Sequence, residues 1–183
     1  MRISLEQALD ILMDHVTQGR TERKPLEQCL GLVLSQDVFA LLDMPPFSRS
    51  AQDGYAFQAK DSAGASKEQP VELKVTGKIY AGDFSEAEVK PGEAIRIMTG
   101  AMIPAGADCV LRQEDTDEGE NVVQIYKEVE PGGSICFKGE EYKKGHILLH
   151  AGTKIDAAAL AVASGNGIME LPVYERVRAA VVS

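Results

Sequence analysis

The chain has 183 residues, room for one ordinary domain or two small ones, and 44% hydrophobic against 26% charged residues excludes wholesale disorder. Its 28 Asp and Glu outnumber 19 Lys and Arg, giving a formal charge of −9. That surface lacks the cationic excess that binds nucleic acid or anionic membranes, so neither partner is expected.

No apolar run approaches the ~20 residues of a membrane helix, and residues 1–10 lack the basic-then-apolar pattern of a signal peptide. Cys29, Cys109 and Cys136 are odd in number and far apart, which reads as free thiols in a reducing, cytoplasmic setting.

In chain order, Ser4 and Gln7 form a capping box. Leu5, Ala8, Leu9, Leu12, Met13 and Val16 then recur at helical spacing, and Gly19 is a natural stop. A second helical turn is predicted from Pro25 to Leu30, ended by Gly31. Residues 33–42 are apolar and tolerant of strand, and Pro45-Pro46 stops them. Strands are predicted over 71–79, 94–98, 108–113, 122–129 and 147–149, with a surface loop over 61–69. Asp156 is placed to cap a helix to Ser164. Extended chain follows over 169–174, and a buried strand is predicted over 177–182. Many short strands between Gly and Pro signals predict a mainly β chain with some α, built around a small barrel or sandwich. A strand at 177–182 with no turn after it suggests a fragment.

Two segments echo each other: Val89-Lys90-Pro91-Gly92 leads to Gly100, and Val129-Glu130-Pro131-Gly132 leads to Gly139. Either these are ordinary Pro-Gly turns of a β domain, or both loops emerge at one rim.

Three clusters carry chemistry. Residues 45–56, Pro-Pro-Phe-Ser-Arg-Ser-Ala-Gln-Asp-Gly-Tyr-Ala, place Asp53 at a tight turn beside Ser48, Ser50 and Tyr55. Asp-Gly alone is a hairpin signal, with positive φ open to the glycine. An exposed carboxylate there can also ligate a hard cation or orient a reacting group. In the second cluster, Arg96 precedes Thr99-Gly100, whose hydroxyl and free backbone N–H groups would suit an oxyanion. Without a following Lys-Ser/Thr it is not a nucleotide P-loop. The third, Lys138-Gly139-Glu140-Glu141, offers adjacent carboxylates that are either solvated or functional. His146 and His150, four apart on a strand, stand ~13 Å apart, too far for one zinc ion.

The run from Pro45 to Ala56 resembles the signature of the molybdopterin molybdenumtransferase family, the molybdenum insertases that include the E domain of gephyrin. The stretch from Thr99 to Asp108 with Gln113-Glu114, and the Gly139-Glu140-Glu141 loop, are similar to that family's other motifs in order and spacing. The resemblance implies an elongated, multi-domain homodimer. Residues 1–25 would be a helix packing on a neighbouring domain, 26–45 with 146–176 a discontinuous α+β domain, 46–145 an inserted β-barrel-like domain, and 177–183 the first strand of a truncated pterin-binding domain.

The implied reaction inserts molybdenum from molybdate into adenylylated molybdopterin and releases AMP with Mg²⁺, within molybdenum cofactor biosynthesis. A fragment without the C-terminal pterin-binding domain would be inactive alone. Asp53 and Thr99 match the family's functional aspartate and threonine, with Asp53 also a magnesium ligand. Glu141 stands where Asp is usual, and Gln52 where Met is typical. Ser50, Gly100, Arg96 and Lys138 fall in the implied substrate-binding set, and Arg49 could add a cation. The alternative is a non-catalytic scaffold or carrier module of the same fold that binds a protein partner.

Overall fold

The computed structural model describes residues 3–84, 86–178 and 180–181. In chain order the elements are α1 (Leu5–His15), β1 (Thr21–Pro25), β2 (Val38–Phe39), β3 (Arg49–Ser50), β4 (Gly54–Phe57), β5 (Val71–Ile79) and β6 (Glu93–Ile97). Then follow β7 (Cys109–Arg112), β8 (Val122–Ile125), β9 (Ile135–Cys136), β10 (Ile147–Leu149), α2 (Ala157–Gly165) and β11 (Glu170–Tyr174). Among the described residues the chain is mainly β with two α-helices. It divides into two compact units, Met1–Leu41 with Gly145–Ser183, and Leu42–Lys144.

In the first unit, β1 pairs antiparallel with β11 and β2 with β10. α2 is capped by Asp156, whose carboxylate accepts from the Ala159 N–H at 2.8 Å. Ala159 and Ala163 pack against Leu34, Ile155, Leu171 and Val173. The capping box of α1 forms as predicted, with Ser4 and Gln7 bonding reciprocally. The helix ends at His15, before Gly19, and none of its residues is buried, so the apolar stripe is exposed. Only Leu26–Gln28 of the predicted second helical turn forms, as a 3-10 turn. The strand before it, Thr-Glu-Arg-Lys-Pro, has no apolar alternation to announce it; its order comes from pairing with β11. The strand predicted over 177–182 does not form at 177, 178, 180 or 181, where Val177 and Val181 are exposed. Residues 179 and 182 lie outside the described set.

In the second unit a curled sheet runs β7-β4-β6-β5-β8, antiparallel except for the parallel β5–β6 pair. Its faces alternate along each strand. Tyr55 and Phe57 of β4 join Leu73, Ala94, Leu111, Val123 and Ile125 on one side, while Ala56 joins Ile79, Ile95, Ile97 and Val110 on the other. All four residues of β4 are buried because both faces are covered, so it shows none of the polar alternation that marks a half-exposed strand.

The glycine of Asp53-Gly54 departs from the expected hairpin. Gly54 begins β4 and lacks a positive φ. A Cβ there would lie 2.0 Å from the Leu111 carbonyl oxygen, so glycine is required by the approach of β7.

Candidate functional site

The three motif segments meet at β3. On one edge β3 pairs with β9, and the Ala51 N–H donates to Ser134 O at 3.0 Å. On the other edge it meets the loop after β6: Gly100 N–H donates to Ser50 O, and Ser50 N–H to Ala101 O, each at 2.9 Å. Ile103 N–H donates to Ser48 O at 3.0 Å. The two echoed Pro-Gly segments thus send their loops to the two edges of one strand.

Asp53 follows β3 on an exposed turn. Its Oδ1 accepts two bonds from Thr99, one from the amide and one from the hydroxyl, both at 2.7 Å. These bonds hold the Asp53 carboxyl below the ordinary carboxylate range, and the Arg96 charge adds to the effect. Among the described residues Oδ2 has no hydrogen-bond partner, so an ionised oxygen faces solvent.

The free amides expected at Thr99-Gly100 are engaged inside the protein. Thr99 N–H serves Asp53, Gly100 N–H serves Ser50 O, and Ala101 N–H serves Met98 O at 3.0 Å. This loop presents a carboxylate rather than a nest of donors. Gly100 holds φ +82, the left-handed geometry that lets the loop turn back to β3.

Ser50, predicted to contact substrate, is 1% exposed. Its hydroxyl donates to Gln52 O and accepts from Gln52 N–H at 3.3 Å, which shapes the turn that aims Asp53. Arg96 is half-buried, its guanidinium carbon 5.8 Å from the Tyr55 ring centroid. It donates to Gln113 Oε1 at 3.0 Å, while Gln113 N–H donates to the Asp53 carbonyl at 3.0 Å. Gln113 therefore ties Arg96 to the Asp53 turn. The sequence singled out Gln113-Glu114 only through the family motif, since a glutamine at a strand end carries no local signal.

The third loop borders the same strand without joining this pair. Lys138 N–H donates to Ser48 Oγ at 3.1 Å, and its ammonium faces Asp43 at 3.6 Å. Glu141 lies 3.9 Å from Arg49 Nη2, both side chains exposed. Glu140 bonds the Phe137 N–H at 2.8 Å, which gives it a turn-closing role. Among the described residues no group of three or more His, Cys, Asp or Glu could hold a metal ion.

Residues 3–167 match the family described as the MoeA N-terminal region, domains I and II. The chain is 37% identical over 181 residues to a protein of Staphylococcus epidermidis named molybdopterin molybdenumtransferase, covering 99% of this chain and 43% of that protein. It is 43% identical over 180 residues to molybdopterin molybdenumtransferase 2 of Mycobacterium tuberculosis, covering 98% and 44%. A crystal structure described as the molybdopterin biosynthesis MoeA protein of Pyrococcus horikoshii OT3 superimposes with a TM-score of 0.88 at 37% identity, over 92% of this chain and 45% of that one. The chain thus spans less than half the length of these relatives. With sequence and fold in agreement over nearly all of its residues, the chain belongs to the MoeA N-terminal family.

Proposed function

We infer that this chain supplies one wall of a site that inserts molybdenum from molybdate into adenylylated molybdopterin and releases AMP, in molybdenum cofactor biosynthesis. The supporting observation is the Asp53–Thr99 contact: two motif residues 46 positions apart form an exposed, ionised carboxylate of fixed orientation. The names of the relatives support the same reading. The pterin-binding remainder of the site would lie in the part of the longer relatives that this chain does not span, and a homodimer in the cytoplasm belongs to the same proposal.

Each residue has a task in that scheme. Thr99 fixes the carboxylate and keeps it ionised, while Arg96, through Gln113, steadies the turn that carries it. Asp53 Oδ2 fits as one magnesium ligand, since Mg²⁺ typically takes one or two carboxylates and completes its shell with water and substrate phosphates. When bound, the cation would neutralise phosphate charge. Glu141 and Arg49 form a charge pair beside the same strand, where they would limit how molybdate or the adenylate is seated.

The test is Asp53→Asn in a full-length family protein carrying this region. Molybdate-dependent AMP release should fall by about a hundredfold or more, to a small residual rate, while the circular dichroism spectrum and melting temperature stay at wild-type values. Near-normal release would overturn the reading and favour a non-catalytic scaffold.

A further inference from the structure

The sheet of the second unit opens into a cleft of about 360 Å³ lined by Val75, Thr76, Gly77, Lys78, Arg96 and Glu120. A register irregularity in the β5–β6 pairing falls between Val75 and Lys78, at the floor of this cleft. Beyond it Lys78 is paired in register with Arg96, which sets two cations side by side on neighbouring strands.

Both cations have unused donors. Lys78 Nζ lies 4.9 Å from the Tyr80 ring centroid, and among the described residues neither Lys78 nor Arg96 is in an ion pair. Arg96 gives one hydrogen bond to Gln113, yet its Nε is buried without a partner. The guanidinium is half-buried and meets no carboxylate among the described residues, so its terminal N–H groups keep donor capacity that an oxyanion in the cleft can use. The Thr76 hydroxyl adds a further polar group. Glu120 is the one carboxylate in the lining, so the cleft carries one net positive charge in a chain of formal charge −9.

The cleft also connects to the site. Arg96 lowers the pKa of the Asp53 carboxyl through space and is joined to that turn by Gln113. We propose that the Lys78–Arg96 cleft is a binding subsite for a tetrahedral oxyanion, joined to the Asp53 turn through Arg96 and Gln113. The proposal rests on the functional reading above and adds a place for the anion: the phosphate ester of the adenylylated substrate or the free oxyanion.

The test is an amide NMR titration of the 183-residue chain with AMP, sodium phosphate and sodium molybdate in separate arms at constant ionic strength. Saturable shifts are expected at residues 76–78 and 96–97. Affinity should fall at least tenfold in Arg96→Met and several-fold in Lys78→Met. Lys78 is exposed, so its replacement keeps the test interpretable if the Arg96 variant unfolds. A response to AMP alone assigns the cleft to the phosphate ester, and a response to phosphate or molybdate alone assigns it to the free oxyanion; both support the subsite. No saturable shift in any arm would overturn it. So would unchanged affinity in both variants, or an equal loss in the distant surface variant Lys60→Met. Binding is read here without turnover, so failure removes the subsite alone, while normal AMP release by Asp53→Asn removes the functional reading alone.

Discussion

Thr99 donates to Asp53 twice, amide and hydroxyl converging on Oδ1 at 2.7 Å each. A carboxylate that accepts two such bonds is stabilised in its charged form, and the geometry leaves its second oxygen directed outward.

Thr99→Val removes the hydroxyl and keeps the amide, so the Asp53 titration midpoint should rise towards, without reaching, the ordinary value of 3.8. Because the folded midpoint is depressed, the stabilisation is present above the unfolded carboxylate value. It is lost as pH falls through the folded midpoint. The variant should shrink that acid-side contribution. Carboxyl NMR titration of both proteins checks this; identical midpoints would mean the hydroxyl does not act on Asp53.

Gly54→Ala should destabilise by about 3 kcal/mol, or prevent folding, because its Cβ would sit 2.0 Å from the Leu111 carbonyl. Gly19→Ala, with nothing within 4 Å, should change stability by no more than about 0.5 kcal/mol. Urea unfolding of the two variants separates the steric account from a general glycine effect.

The thiols should react in order of access. Cys29 and Cys109 are 0% exposed, and burial pushes the Cys109 thiol up to about 12, so it stays neutral at pH 8. Cys136 is half-exposed on β9. Alkylation of the folded chain at pH 8, followed by peptide mapping, should label Cys136 first.

Glu141→Gln should change folding stability by less than about 1 kcal/mol, since its pairing with Arg49 is long, at 3.9 Å, and exposed. A larger loss by urea unfolding would give this pair a structural role that the geometry does not show.

The sequence announced elements whose signals are local. The Ser4–Gln7 box, the Asp156 cap and the alternation in β5 each involve residues within one or two turns of one another. It did not announce β1, β3 or β4. β1 is charged and held by its partner, β3 is two residues long, and β4 is covered on both faces. The site divides in the same way. Asp53 and Thr99 stood out as motif residues, and their contact follows from loop pairing across β3, which no spacing reveals. Ser50 enters the expected substrate-binding set through the family motif, while its bonds to Gln52 turn it inward. Gln113 carries no local signal of a site role because that role lies in whom it joins, Arg96 and the Asp53 carbonyl.

The most direct measurement is a double-mutant cycle on molybdate-dependent AMP release by a full-length family protein carrying this region, with Asp53→Asn, Thr99→Val and both together. If Thr99 acts by fixing Asp53, the double variant should be no slower than Asp53→Asn alone, because groups that work as one unit are lost together. Losses that multiply would show that the two residues act independently, contrary to a single carboxylate held in place by its threonine.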